Sequence, residues 1–307
     1  MSLPIEETIA ELANSDKALL NSKLAELSNL NSEEMALFEK AWATIEPRRR
    51  GQIMYRLVEL AEDNFELDFD SIFKSRLKDA DDKVRSKAVE GLWESEEASL
   101  INPFIKLLEQ DRSEEVQAAA ATALGKFAML AEFKKLRPSH KSKICQALLA
   151  AIDDQSKPIE VKRRALEAAA PLSLPQMEKA IVTAYKSGQP KLMTSALFAM
   201  GKNCNHSWLP ILLKELTSAD AEMRYEAAGA CGELGEKGAA PYLAELITDP
   251  DVDVQLAAIQ ALGKIGGPEA KDCLEQCLKE PGGIVRQAAE QALNELEAGE
   301  DPLSFRI

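Results

Sequence analysis

Histidine is almost missing from this chain: only His140 and His206 occur among 307 residues. Neither has a glutamate beside it, and no H-E-x-x-H or Cys/His zinc spacing is present. That removes the usual sequence signatures of a zinc hydrolase or a structural zinc site. A Gly-rich phosphate loop followed by Lys and Ser or Thr is also missing, which removes the P-loop nucleotide enzymes. Cysteine is sparse and odd in number: Cys145, Cys204, Cys231, Cys273 and Cys277. Such scattered spacing argues against a disulfide framework and for a reducing compartment. No run of about 18 apolar residues exists to span a membrane. The segment Met1–Glu7 lacks a basic n-region and an apolar h-region, so no secretory signal is expected and a cytoplasmic location is. No Asn-Gly hairpin and no sustained polar–apolar alternation marks a strand. Positive charge is in deficit, with a net charge of −14, which disfavours nonspecific binding of nucleic acid.

What is present is a phrase that recurs at a fixed step. Its anchors are Ile53, Val84, Val116, Val161, Leu192, Met223, Val254 and Ile284-Val285. Six of the seven steps, taken to Val285, are 31 or 32 residues. A period of about 20–50 residues signals a solenoid, propeller or array. Four residues after each anchor from Val84 onward stands Ala, as at Ala88, Ala196 and Ala258. Seven after it stands a small residue, such as Gly91, Ala199 or Ala261. Eight after it the residue is mostly large, as at Leu92, Leu124, Met200 and Leu262. Offsets 0, 4, 7, 8 and 11 share one face of a helix. Gly125, Gly201, Gly232-Glu233-Leu234-Gly235 and Gly263-Lys264-Ile265-Gly266 follow and read as breaks that cap the helix.

A first apolar helix precedes each anchor, as at Pro103–Leu108, Pro210–Leu213 and Pro241–Ile247. An acidic turn joins the two, with Asp79, Asp111, Asp220 or Asp249. Cys277 fills the slot of Leu246 one repeat earlier, and Cys231 that of Leu262. Both therefore read as small buried hydrophobes rather than metal ligands.

The pattern resembles HEAT repeats, most closely the short bacterial variety found in phycobilisome-lyase-like proteins. Asp249–Gln255, Ala258 and Ala261–Gly266 carry the resemblance, and Glu222–Arg224 with Gly232–Gly235 repeat its frame. The resemblance implies an all-α, right-handed α-α superhelix of about eight helix pairs, each covering the apolar face of the next. It spans about residues 70–297. Residues 1–70 read as an N-terminal cap with a degenerate repeat, 71–297 as the solenoid and 298–307 as a tail. In the tail, Phe305 and Ile307 are candidates to fold back on the last apolar face. Among HEAT-repeat enzymes, deoxyhypusine hydroxylases hold two irons on four His-Glu dipeptides, and this chain has none. Helical-repeat DNA glycosylases need a cationic channel, against which the net −11 of residues 203–307 argues.

The one large departure from the period is the 45-residue step from Val116 to Val161. Its extra residues fall in Ala128–Lys143, which the sequence predicts as a protruding helix extension broken at Arg137-Pro138-Ser139-His140. This insertion opens a basic belt, residues 126–202, of net +8 between acidic ends. Lys134, Lys135, Arg137 and Lys141 make it a candidate site for an acidic partner, or for the acidic end of a second copy.

In HEAT arrays the second helices line the concave surface, so the face opposite the core becomes a groove floor. Offsets 2, 6 and 9 point there. The candidate partner site is thus Arg163, Glu167, Thr194, Phe198, Tyr225, Leu256 and Gln260. Phe198, Tyr225 and Leu256 run diagonally across three successive repeats. The expected function is a noncatalytic protein-interaction scaffold without a cofactor. The alternative, implied by the lyase resemblance, is a bilin-lyase-like or chaperone-like factor that handles a prosthetic group on another protein.

Overall fold

The computed structural model describes residues 4–279 and 283–300. Among them every regular element is helical. The chain divides into two compact units, Met1–Ala168 and Ala169–Ile307. Unit one opens with α1 (Pro4–Ala13) and α2 (Asn21–Ala25). Helix pairs follow: α3 (Ser32–Trp42) with α4 (Pro47–Asp63), and α5 (Asp70–Arg76) with α6 (Asp82–Gly91). Next come α7 (Ile101–Gln110) with α8 (Glu114–Glu132), and α9 (Pro138–Asp153) with α10 (Ile159–Ala169). Unit two holds α11 (Pro175–Tyr185) with α12 (Pro190–Asn203), and α13 (Leu209–Glu215) with α14 (Ala221–Leu234). It ends with α15 (Ala240–Glu245) with α16 (Val252–Ile265), and α17 (Gly267–Cys277) with α18 (Ile284–Glu300). The eight pairs are those the period predicts, and the fold is an all-α HEAT-type solenoid. No helix among the described residues is long and apolar enough to cross a membrane.

The local reasons are legible. Asp81 accepts the amides of Lys83 and Val84 at 2.9 and 3.3 Å, and Asp251 those of Asp253 and Val254 at 2.9 and 3.4 Å. Each caps a second helix at its N-terminus, where the amides lack intrahelical partners. Proline stands in the first turn of α4, α9, α11 and α12, where its missing N–H costs nothing. The anchors Val84, Val116, Val161 and Val254 are fully buried, and so are the Ala residues four positions on. Near the N-terminus, Leu24, Leu27 and Leu30 form the buried stripe their spacing predicts.

The core is wider than the sequence pattern suggests. Offset 5, absent from that pattern, is buried in six of the seven copies, at Val89, Ala121, Leu166, Leu197, Ala228 and Ile259, and exposed only at Glu290 of the last. Second helices pack on each other sideways as well as on their own first helices, so they bury more than one stripe. The offset-9 glycines explain how closely. Gly125, Gly201, Gly232 and Gly263 do not break their helices; they lie inside them. A Cβ on Gly201 would sit 2.7 Å from the Ala230 Cα, and one on Gly232 would sit 2.8 Å from the Ala261 Cα. Only a hydrogen fits at this seam. The left-handed caps come later, at Gly235 (φ +67°) and at the non-glycine Cys204 (φ +52°).

A polar rail runs beside the apolar seam. Arg85 of α6 pairs with both carboxylate oxygens of Asp111, in the next turn, at 2.7 Å each. The same guanidinium donates to the Asp79 carbonyl at 2.8 Å. Gln117 Nε2 donates to the Asp111 carbonyl at 2.6 Å. The acidic turns thus bind the following repeat to the preceding one, besides capping helices.

The insertion is a longer helix, as expected, but it does not protrude. Helix α8 runs 19 residues, and Phe127, Ala128, Leu130 and Ala131 are buried on its inner side. Phe127 meets Phe104 of α7 at 6.1 Å between ring centroids. The break falls at Phe133–Arg137, with Lys134 at φ +59°. Pro138, Ser139 and His140 are the first turn of α9 rather than a loop. Helix α18 continues past Glu297 to Glu300, and the expectation for Phe305 and Ile307 lies outside the described residues.

Candidate functional site

The exposed strip of the second helices is rotated by about one position from that expected, because offset 9 is consumed in the seam. Offsets 6 and 10 now lie at its centre. Thr194 shows the effect: it is 2% exposed, and its hydroxyl donates to the Lys191 carbonyl at 3.0 Å. It belongs to the core rather than to the candidate surface. Ser86, at the same offset in α6, is buried too.

In unit two, Phe198 of α12, Tyr225 of α14 and Leu256 of α16 fall on three helices packed in succession. Tyr225 is 44% exposed, Phe198 and Leu256 are half-buried, and Gln260 is exposed. Lys202 Nζ lies 5.8 Å from the Phe198 ring centroid. Beside this row, Glu233 bridges Lys202 at 3.1 Å and Lys264 at 2.7 Å. Burial raises the Glu233 pKa, but its bonds to the two lysines outweigh that and hold it below the usual carboxylate value. The row is therefore apolar on one side and lined by a neutralised charge ladder on the other.

In unit one, Arg163 and Glu167 lie on α10 and are engaged with each other at 3.7 Å. Arg163 also meets Glu160 at 2.9 Å, and Arg164 meets Glu160 and Glu167 at 3.0 and 2.9 Å. Burial raises the Glu160 pKa, but the charges and hydrogen bonds of Arg163 and Arg164 hold it below the usual value. Of the basic belt, Lys134, Lys135 and Arg137 are exposed, whereas Lys141 pairs with Glu132 at 2.8 Å.

A feature that the periodic pattern did not single out lies on the same face of unit one. An open cavity of about 960 Å³ has Ala118 and Thr122 of α8 on its floor and Trp93, just past α6, on its wall. Trp93 is 49% exposed. A neighbouring groove of about 760 Å³ includes Tyr55 of α4. Lys87 Nζ stands 5.6 Å from the Tyr55 ring centroid. The signal was available: Trp93 occupies offset 9, where sister repeats carry Gly.

Among the described residues no group of three His, Cys, Asp or Glu is placed to hold a metal ion. His206 Nδ1 meets Glu236 at 2.6 Å in a pair exposed on the surface of unit two. Cys231 and Cys277 sit in the core, as their repeat alignment predicts.

The profile of the HEAT repeats matches residues 71–143 and 209–294, together more than half of the chain. This chain belongs to the HEAT-repeat family. Several solved structures resemble it in fold. The CpcE–CpcF complex of phycocyanin lyase from Nostoc sp. PCC7120 is 19% identical, with 75% of this chain and 94% of that chain covered and a TM-score of 0.49. Human deoxyhypusine hydroxylase in complex with glycerol is 18% identical over 95% of this chain and 96% of that one, with a TM-score of 0.33. An engineered protein is 22% identical over 65% of this chain and 97% of its own, with a TM-score of 0.42. No curated protein sequence matches this HEAT-repeat chain.

Proposed function

We propose that this HEAT-repeat protein is a noncatalytic scaffold that holds another protein against its second-helix faces. One observation carries the reading. Phe198, Tyr225 and Leu256 keep apolar surface in water on three successive helices whose other faces are fully packed. Helical periodicity gives the Tyr225 ring no internal partner, and aromatic rings so placed are typical anchors at protein interfaces. Exposed Lys134, Lys135 and Arg137 supply a second, electrostatic contact for an acidic region of a partner. Such a contact weakens with salt, since the screening length falls from about 10 Å at 0.1 M to about 3 Å at 1 M. The uncombined cysteines suit a cytoplasmic setting.

The test is an affinity capture from native lysate with wild type and Tyr225→Ala in parallel. Tyr225→Ala should keep the wild-type melting temperature and lose the captured partner, because truncating an anchor costs about 2 kcal/mol or more of binding. A variant that melts several degrees lower and still binds would assign Tyr225 to packing and end this reading. A coloured preparation, with absorbance that follows the protein through purification, would instead support handling of a prosthetic group.

A further inference from the structure

We propose that the Trp93 cavity of unit one receives a basic peptide segment of a partner protein, one that carries an apolar side chain between its cations. The proposal rests on the scaffold reading and adds the chemistry of the occupant.

The shape comes from residue size. Helix α8 exposes Ala118, Ala119 and Thr122 toward this space, and α6 adds Val89 to the wall. Small side chains on a middle helix between bulkier neighbours leave a hollow with an apolar floor. Trp93 stands at its edge with half of its surface open. An apolar side chain would fill the hollow, and a cation would lie over the indole face.

The charges select the sign of the occupant. Five carboxylates line the cavity, from Glu62, Glu90, Glu114, Glu115 and Glu160, against only two cations, Lys126 and Arg164. The two cations are already committed. Lys126 donates to the backbone carbonyls of Trp93, at 3.3 Å, and of Glu94. Arg164 is shared between Glu160 and Glu167. Glu90 has Lys87 as its partner. Glu62, Glu114 and Glu115 have no cationic partner among the described residues, so three carboxylates around one apolar floor lack a counter-ion. An acidic segment or a nucleic-acid backbone meets the unpaired carboxylates of Glu62, Glu114 and Glu115 here. A Lys- or Arg-bearing segment meets complementary charge, which speeds encounter and fixes orientation.

The molecule carries its own reporter. Of its three tryptophans, Trp42 and Trp208 are 2% and 6% exposed, and Trp93 is 49% exposed. The full chain is titrated with a short synthetic peptide of lysine and leucine while tryptophan emission is followed. Control titrations use a glutamate–leucine and a lysine–serine peptide of the same length. The lysine–leucine peptide should give a saturable change that Trp93→Phe abolishes. Replacing both Glu114 and Glu115 by Lys should weaken it by about tenfold or more while circular dichroism shows an unchanged helix content. The lysine–serine peptide should bind more weakly, because it leaves the floor empty.

No response to the lysine–leucine peptide overturns the proposal, and so does equal binding of the glutamate–leucine peptide. Undiminished affinity in the double charge reversal overturns it too. An emission change that grows with protein concentration alone, and disappears in Lys134→Glu with Lys135→Glu, would give the cavity to a second copy of this chain instead. Partner capture that depends on Tyr225, with no peptide response at Trp93, would leave the scaffold standing and remove only this inference.

Discussion

Arg224 lies side-on against Asp249, with Nε and Nη2 reaching the two carboxylate oxygens at 2.7 and 2.8 Å. Its third nitrogen donates to the Ser218 carbonyl at 2.8 Å. Both side chains are nearly buried, so α14 is tied to the turn that starts α16 through a desolvated, bidentate pair. Arg224→Ala should lower stability by about 2–3 kcal/mol, since it leaves a buried carboxylate with only the Asp251 amide as a donor. Arg224→Lys should recover part of that, because lysine supplies charge but not the fork. Thermal melts of the two variants decide the matter.

The same rail predicts a pH window. Bonding to Arg224 holds the Asp249 pKa below its ordinary value. For Asp111 burial pushes upward, but the Arg85 hydrogen bond and the Ser113 amide outweigh it, and the net shift is downward. A depressed folded-state carboxylate stabilises above its unfolded pKa of about 3.9, and that gain is lost as pH falls through the lower folded value. Melting temperature should therefore drop steeply below about pH 4. The drop should be smaller in Asp249→Asn, which has already forfeited its share.

Two glycines of α14 should respond in opposite directions to the same substitution. At Gly232 a Cβ would sit 2.8 Å from the Ala261 Cα, whereas at Gly229 nothing lies within 4 Å. Gly232→Ala should cost about 1–3 kcal/mol through overpacking. Gly229→Ala should gain about 0.5–1 kcal/mol from helix propensity. Chemical denaturation of both variants checks the sign of each.

Thiol reactivity should separate the cysteines. Burial pushes the Cys231 thiol up to about 12, while Cys204 is exposed at the end of α12. Iodoacetamide at neutral pH should alkylate Cys204 readily and leave Cys231 untouched until denaturant is added. Peptide mass mapping reads out both sites.

The repeat architecture was legible because its signal is periodic: the anchors recur at 31 or 32 residues in all but one step, and the Ala four residues on is buried in every copy from Val84, although the anchors Leu192 and Val285 are only half-buried. What escaped the sequence is the sideways packing. A one-dimensional helical pattern shows which residues share a face, but not which of two faces meets a neighbouring helix. Gly232 therefore read as a helix break although it is a contact point, and Thr194 read as surface although it is core. The Trp93 cavity escaped for a related reason. It depends on the small size of Ala118 and Thr122 next to one large ring, a relation between repeats rather than within one. The pairing of Arg85 with Asp111 likewise joins positions 26 residues apart, beyond any local motif.

The glycine seams give unit two the property of a set of interchangeable parts. Gly201 faces Ala230, Gly232 faces Ala261, and Gly263 faces Ala292. Every joint uses the same two shapes, so excising one repeat length would bring Gly201 opposite Ala261 and present the surface it already fits. Lengthening or shortening the array by whole repeats then leaves each remaining joint intact.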